Sequence, residues 1–144
     1  RDTGFLICPW PRTRASSVAL MRALAEHIGA ARIAVSDPAA HDAVIAYTSD
    51  LMHIAAAGLC VDFHPDMTLA YAAGAFRDCT RIADINAAAW TELLLSNADN
   101  TLGMLDRYMA SLAHIRRALA ERDEAALCAL LDRAGRNKRE MLTR

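Results

Sequence analysis

Three polar side chains of different chemistry are spaced so that one face of a helix would carry them. Asp42, Ser49 and His53 fall, with Ala46, at positions i, i+7, i+11 and i+4. A continuous α-helix would therefore place a carboxylate, a hydroxyl and an imidazole in one narrow stripe. Spacing alone favours a solvated helix face. The small and apolar residues around this short stripe, however, also suit the wall of a substrate cleft.

A second group centres on Arg81, which has Asp78 three residues before it and Asp84 three residues after it. On a helix, either carboxylate could hold the guanidinium in a fixed orientation. Arginine is the natural partner of a substrate carboxylate because its planar fork binds both oxygens. A surface ladder of salt bridges has the same spacing and is the commoner case. The spacing therefore leaves both interpretations open.

The first element that must position these groups is a strand–helix–strand unit in residues 1–37. An apolar run from Phe5 to Cys8 and another over residues 31–35 predict two strands. Between them, the spacing of apolar residues predicts a helix that Thr13 or Ser16 caps and Gly29 ends. Two parallel strands make a poor sheet alone, so we expect this unit to belong to a larger parallel sheet.

Residues 38–144 show helical patterns throughout. Asp37 is a good N-cap, with Pro38 at the first position of a helix that runs to about Cys60. The core face predicted for this helix comprises Val44, Ile45, Leu51, Met52, Ala55 and Leu59. Further helices are predicted to begin at Pro65, Asn86, residue 98 and Asp123. The predicted fold class is mainly α, a helical domain preceded by a short βαβ unit.

The composition limits the class of protein. The chain has 144 residues, 54% hydrophobic and 23% charged, so it should fold around a core. A net charge of −1 argues against a nucleic-acid partner. The four cysteines form no Cys-x-x-Cys pair, which predicts free thiols and no metal site. Charges interrupt the apolar stretches, so we expect no membrane span and a cytoplasmic location. The start at Arg1, without a methionine, indicates a fragment.

Several motifs resemble segments of the TyrA-type prephenate and arogenate dehydrogenases, in the family's own order. His41-Asp42, followed by Ser49-Asp50-Leu51-Met52-His53, resembles the HD…SHLPH segment. Residues 76–83, FRDCTRIA, resemble the GFRDTTRIA segment and are the most specific match. Trp90, Leu94, Leu95 and Asn97 match the W…LL.N stretch, and residues 6–9 resemble the strand that closes the nucleotide domain.

The resemblance implies a helical dimerisation and substrate-binding domain over 38–144, with 1–37 as the remnant of a Rossmann-like nucleotide-binding domain. The implied reaction is NAD(P)-dependent oxidative decarboxylation of prephenate to 4-hydroxyphenylpyruvate, or of arogenate to tyrosine. By position, Arg81 would bind a substrate carboxylate, Asp78 would orient it, and His53 would face the substrate side chain. The substrate-binding set implied is Arg81, His53, Asp78, Trp90, Gly74, Asp50, Asp42 and Ser49.

The same resemblance assigns the cofactor and the catalytic histidine to a part of the family that this chain lacks. The nucleotide-binding pattern G-x-G-x-x-G is absent from the 144 residues. We therefore expect the chain alone to bind neither NAD nor NADP and to hold no catalytic residue. Apolar stripes over 98–120 and 124–141 predict a homodimer through the helical domain.

Asp50 stands where the family commonly has histidine, which bears on the choice of substrate. A carboxylate at the edge of the cleft would favour the ammonium group of arogenate. A merely solvated carboxylate explains the residue equally well. Two other classes stay open: a stand-alone helical dimerisation module that senses tyrosine, and a helical chorismate mutase. The basic residues over 130–139 that hint at the mutase look like a solvated helix end.

Overall fold

The computed structural model describes residues 4–62 and 71–141. Strand β1 (Gly4–Ile7), helix α1 (Ala15–His27) and strand β2 (Arg32–Val35) form the strand–helix–strand unit that the sequence predicts. The strands pair in parallel, with Gly4 opposite Arg32 and Ile7 opposite Val35. Because Leu6 and Val35 remain substantially exposed, this unit leaves apolar strand surface uncovered.

Helix α1 ends as predicted but begins differently. Gly29 has a φ of 79°, which glycine adopts without strain, and its amide donates to the Glu26 carbonyl. The next amide, of Ala30, donates to the Ala25 carbonyl and completes the C-terminal cap. The prediction of a Thr13 or Ser16 cap is wrong. Thr13 instead accepts a hydrogen bond from the Trp10 amide in the preceding turn.

The long helix predicted from Pro38 is continuous over 38–61 but contains one wide turn. Helix α2 (Pro38–Ile45) passes into a π-helical segment (Ala46–Asp50) and then into α3 (Leu51–Val61). The Asp37 carboxylate accepts from the Ala40 amide at 2.9 Å, which confirms the cap. A π-turn holds more residues than an α-turn, so the side chains beyond it are rotated away from α-helical expectation.

By length and composition, the helix over 38–61 is apolar enough to cross a membrane, contrary to the sequence-based expectation. Asp42 and Asp50 are its only charged residues of the Asp, Glu, Lys and Arg types. Core helices of soluble proteins meet the same criterion. Here Asp50 is hydrogen-bonded to two side chains from outside the helix, and α3 packs against other elements.

Five further elements complete the described chain. They are α4 (Gly74–Thr80), a 3₁₀ turn (Arg81–Ala83), α5 (Ala87–Ser96), α6 (Ala98–Glu121) and α7 (Glu124–Met141). The side chain of Asn86 caps α5 by accepting from the Ala89 amide, and Asp123 caps α7 in the same way. Both caps confirm the prediction. The helix start predicted at Pro65 lies outside the described residues.

The buried apolar residues of the described chain are mostly small. They are Ile7, Ala25, Ala46, Leu51, Ala56 and Ala118. The predicted core positions Val44, Met52 and Leu59 are wrong, because each side chain is exposed. Many large apolar side chains of the described chain are exposed, among them Leu20, Leu95 and Leu102. The chain divides into two compact units, and the boundary lies between residues 101 and 102.

The end of α6 yields a prediction about stability. Arg122 has a φ of 52°, and the Asp123 amide behind it donates to the Ala118 carbonyl at 2.9 Å. Glycine is the residue best suited to this left-handed position. Arg122→Gly should therefore stabilise the protein by about 0.5–1 kcal/mol and raise its thermal midpoint. Arg117→Gly, inside α6, is the control and should destabilise by about 1 kcal/mol. A lower midpoint for Arg122→Gly would contradict the proposed cap.

Candidate functional site

The closest aromatic contact in the described residues joins His53 to Trp90. The two ring centroids lie 3.7 Å apart with an angle of 33° between the planes. His53 is in the first turn of α3 and Trp90 is in α5, and both side chains are half-buried. A tilted, closely stacked contact of this kind restricts the plane of the imidazole.

A backbone carbonyl determines which ring nitrogen of His53 carries the hydrogen. Its Nδ1 atom lies 3.0 Å from the carbonyl oxygen of Ser49. A carbonyl can only accept, so Nδ1 must carry the hydrogen. Nε2 is then the atom that can accept a hydrogen bond when the ring is neutral, or donate one when it is protonated. Ser49 thus acts through its carbonyl, whereas the sequence pointed to its hydroxyl.

Arg81 begins the 3₁₀ turn after α4, and in the described residues it lacks the carboxylate partner that the sequence predicts for it. The 3₁₀ turn that begins at Arg81 packs against α3, and the arginine itself is exposed. Within residues 4–62 and 71–141, neither Asp78 nor Asp84 forms an ion pair with it, and the orientation of Arg81 by Asp78 stays a prediction. Helix α4 ends at Thr80, and the narrower turn that follows changes the relative directions of these side chains.

Asp50 lies in the interior and not at the exposed edge of a cleft, so its predicted position is wrong. Only 6% of the residue is exposed. Its Oδ2 atom accepts from Asn97 Nδ2 and from Thr101 Oγ1, each at 3.1 Å. The wide turn over 46–50 explains the difference, because it rotates Asp50 inward. These contacts do not support direct pairing of Asp50 with a substrate ammonium.

Asn97 links the last residue of the π-helical segment to the helical turn that precedes the segment. Besides Asp50, its Nδ2 atom donates to the backbone carbonyl of Asp42 at 2.9 Å. Its Oδ1 atom accepts from Asn100 at 2.8 Å, which sets the orientation of the amide. The sequence showed Asn97 only as part of a motif, and it did not single out Thr101. The clustering of Asn97, Asn100 and Thr101 at the start of an amphipathic helix was the available signal.

The remaining predicted site residues, Asp42 and Gly74, make fewer contacts with the rest of the candidate site. Asp42 is exposed, and its carboxylate contacts Nδ1 of the adjacent His41 at 2.9 Å. The structure therefore brings Ser49 and His53 together but gives Asp42 a different partner. Gly74 is the first residue of α4, and a Cβ added there would meet no atom within 4 Å. Nothing within the described chain itself requires glycine at that position.

The described residues contain no group of three His, Cys, Asp or Glu side chains arranged to hold a metal ion. All four cysteines are free: Cys8, Cys60, Cys79 and Cys128. The chemistry that these residues offer is therefore a cation at Arg81 and an imidazole held by a stacked ring and a carbonyl. That arrangement suits the binding of an anionic ligand that also carries a polar side chain.

Solved structures define the fold class. The chain superposes on a prephenate dehydrogenase from Aquifex aeolicus with a TM-score of 0.81, at 24% identity, over 94% of this chain and 49% of that one. It superposes on an arogenate dehydrogenase from Synechocystis with a TM-score of 0.79, at 22% identity, over 94% and 51%. The fold is thus that of about half of a dehydrogenase of this type.

Sequence comparison identifies the family. The model of the prephenate dehydrogenase dimerisation domain matches residues 37–133. A cyclohexadienyl dehydrogenase from Zymomonas mobilis is 33% identical over 129 residues, which is 85% of this chain and 44% of that protein. A prephenate dehydrogenase from Bacillus subtilis is 32% identical over 83% of this chain and 33% of its own length. The chain belongs to the prephenate dehydrogenase dimerisation-domain family, and it spans less than half the length of these relatives.

The contacts of Asn97 predict a measurable loss of stability. Asn97→Ala removes the donor shared by Asp42 and Asp50 and leaves a buried carboxylate with fewer partners. The cost should be about 1–3 kcal/mol in the free energy of unfolding. Asn100→Ala is the matched control, because it removes only an exposed contact, and should cost less than about 0.5 kcal/mol. Urea denaturation measures both, and equal losses would show that Asn97 is not the central donor.

Proposed function

We propose that the full-length protein is an NAD(P)-dependent prephenate dehydrogenase in the cytoplasm, and that this chain supplies part of its substrate site and its dimer interface. The observation that carries the proposal is the oriented His53–Trp90 pair, on elements that pack against or adjoin the turn bearing Arg81. Membership of the prephenate dehydrogenase dimerisation-domain family gives that arrangement its context. The Aquifex aeolicus structure, a complex with hydroxyphenyl propionate and NAD⁺, agrees with an aromatic acid as ligand.

The chemistry of prephenate oxidation defines what the protein must bind. A hydride leaves the ring carbon that bears the hydroxyl, the hydroxyl loses its proton, and carbon dioxide departs as the ring becomes aromatic. The substrate carries two carboxylates before the reaction. Arg81 is the exposed guanidinium beside α3 and would bind one of them through both oxygens. No residue of this chain is assigned to the nucleotide, since none forms a glycine-rich strand-to-helix turn.

His53 would meet the side chain of the substrate through Nε2. Because Nδ1 is committed to the Ser49 carbonyl, a protonated ring presents Nε2–H as a donor to the keto oxygen of prephenate. A neutral ring presents Nε2 as an acceptor, which suits the ammonium of arogenate. Arogenate is therefore the second candidate substrate. Trp90, stacked at 3.7 Å, would keep the imidazole in place in both cases.

The role of Arg81 is tested by Arg81→Lys in the full-length enzyme. The substitution keeps the positive charge but loses the bidentate fork, so it should raise KM by a factor that corresponds to about 2–4 kcal/mol. Arg77→Lys is the control, since Arg77 is an exposed arginine one turn earlier in α4. Steady-state kinetics with prephenate and with arogenate measure both variants. A KM for Arg81→Lys within twofold of the wild-type value would remove Arg81 from the site.

The proposal of a homodimer rests on the apolar residues that α6 leaves exposed. Leu102, Met109, Leu112 and Leu119 are exposed and recur at intervals of seven and three residues. That spacing places them along one side of a helix. A contiguous apolar surface on a folded domain commonly marks an interface, and the family model that matches this region is a dimerisation domain. We infer that α6 contributes to the contact between two copies.

Leu112→Glu tests this interface. A buried, unpaired carboxylate at an apolar contact should shift the full-length protein from dimer to monomer, because desolvation of the charge costs several kcal/mol. Ser111→Glu is the control; it adds the same charge about 100° around the helix. Light scattering at tens of micromolar gives the mass of each variant. A monomeric wild type, or a Leu112→Glu variant that is still fully dimeric, would contradict the assignment.

A further inference from the structure

We propose that Thr101 and Asn97 are positioning residues that act through Asp50 to hold His53 in its working orientation. The inference deepens the proposed function, on which it rests, because it concerns the side chain placed against the substrate. Neither residue contacts His53 directly. The connection runs through the π-helical segment 46–50. Asn97 bonds to Asp42, four residues before this segment, and to Asp50, its last residue, and Thr101 also bonds to Asp50.

Asn97 spans the wide turn. One nitrogen atom, Nδ2, donates to the Asp42 carbonyl before the turn and to the Asp50 carboxylate at its end. A π-turn interrupts the regular α-helical hydrogen-bond pattern and is rare in helices. The positions of Asp42 and Asp50 relative to each other are set by that shared donor. In a helix without the wide turn, the side chain of Asp50 would point in a different direction.

Thr101 holds the Asp50 carboxylate in the interior through a buried hydrogen bond. Asp50 and Thr101 are the buried polar residues of the described chain, 6% and 5% exposed, and they bond to each other. A buried carboxylate that loses a donor must find water or another partner, and turning the segment outward is the direct way to do so. The bond from Thr101 thus keeps Asp50, and with it the end of the π-helical segment, turned toward α6.

The backbone transmits this constraint to the imidazole. Ser49 immediately precedes Asp50 in the same segment, and its carbonyl accepts from His53 Nδ1. A rotation of the segment would move that carbonyl, and Nδ1 would lose the partner that assigns it the hydrogen. Trp90 holds the plane of the ring but does not select which nitrogen is protonated. The tautomer of His53 therefore depends on Asp50 and its two donors.

The test compares two substitutions at Thr101, one that removes the hydroxyl and one that keeps it. Thr101→Val removes the hydroxyl without changing the branching of the side chain, and Thr101→Ser keeps the hydroxyl. Thr91→Val is the control, because Thr91 is exposed and bonds only to a carbonyl of its own helix. In the full-length enzyme, Thr101→Val should lower kcat/KM about tenfold, since small misplacement of a binding group has effects of this size or larger. Thr101→Ser and Thr91→Val should stay within twofold of wild type.

A double-mutant cycle with His53→Asn separates positioning from general stability. If Thr101 acts through His53, Thr101→Val should have little further effect on kcat/KM once His53 is replaced. The inference is overturned if the two substitutions lower kcat/KM by independent factors that multiply in the double variant. A Thr101→Val enzyme with wild-type kinetics would overturn it as well. If His53→Asn alone leaves kcat/KM unchanged, the proposed role of His53 fails. The inference about its tautomer then depends on a measurement that does not involve activity.

That measurement is the ¹⁵N spectrum of the histidine side chains in full-length protein labelled at histidine. The His53 signals are assigned by their loss in His53→Asn. Wild type should show a protonated Nδ1 and an unprotonated Nε2 at a pH where the ring is neutral. Thr101→Val should show both nitrogens averaging between the two tautomers, while Thr91→Val should match wild type. An unchanged His53 pattern in Thr101→Val would overturn the inference.

Discussion

The hydrogen bonds from one amide nitrogen, Nδ2 of Asn97, govern the arrangement of the candidate site. They fix the carbonyl of Asp42 and the carboxylate of Asp50, on the two sides of the wide turn in the long helix. The direction of every residue beyond that turn follows from how the turn is held, including the direction of His53. The candidate site is therefore organised by a buried polar contact and not by the packing of large apolar side chains.

Local signals in the sequence predicted most of the secondary structure. The Asp37, Asn86 and Asp123 caps and the glycine that ends α1 act through atoms a few residues away, so their effects can be read from the chain itself. The stripe of Asp42, Ser49 and His53 could not be predicted correctly in the same way. Its geometry assumed a uniform helical period, and the donor that sustains the wide turn comes from 55 residues farther along.

The predicted core failed for a different reason. Val44, Met52 and Leu59 are apolar and correctly spaced for a buried face, yet the chain does not cover them. Hydrophobic periodicity reports that a face will be buried but not by what. In a chain that spans less than half the length of its relatives, the covering surface can belong to another part of the protein or to a second copy. Four of the six buried apolar residues in the described chain are alanines.

The contact between His53 and the carbonyl of Ser49 has a consequence for evolution. The serine side chain contributes nothing to that bond, so mutation can replace it by many residues while the imidazole keeps its partner. The bond depends instead on the wide helical turn. Mutations of residues that hold this turn, such as Asn97 and Thr101, are therefore the ones that would affect it. Functional divergence among descendants of this domain can thus begin at residues far along the chain from the candidate site.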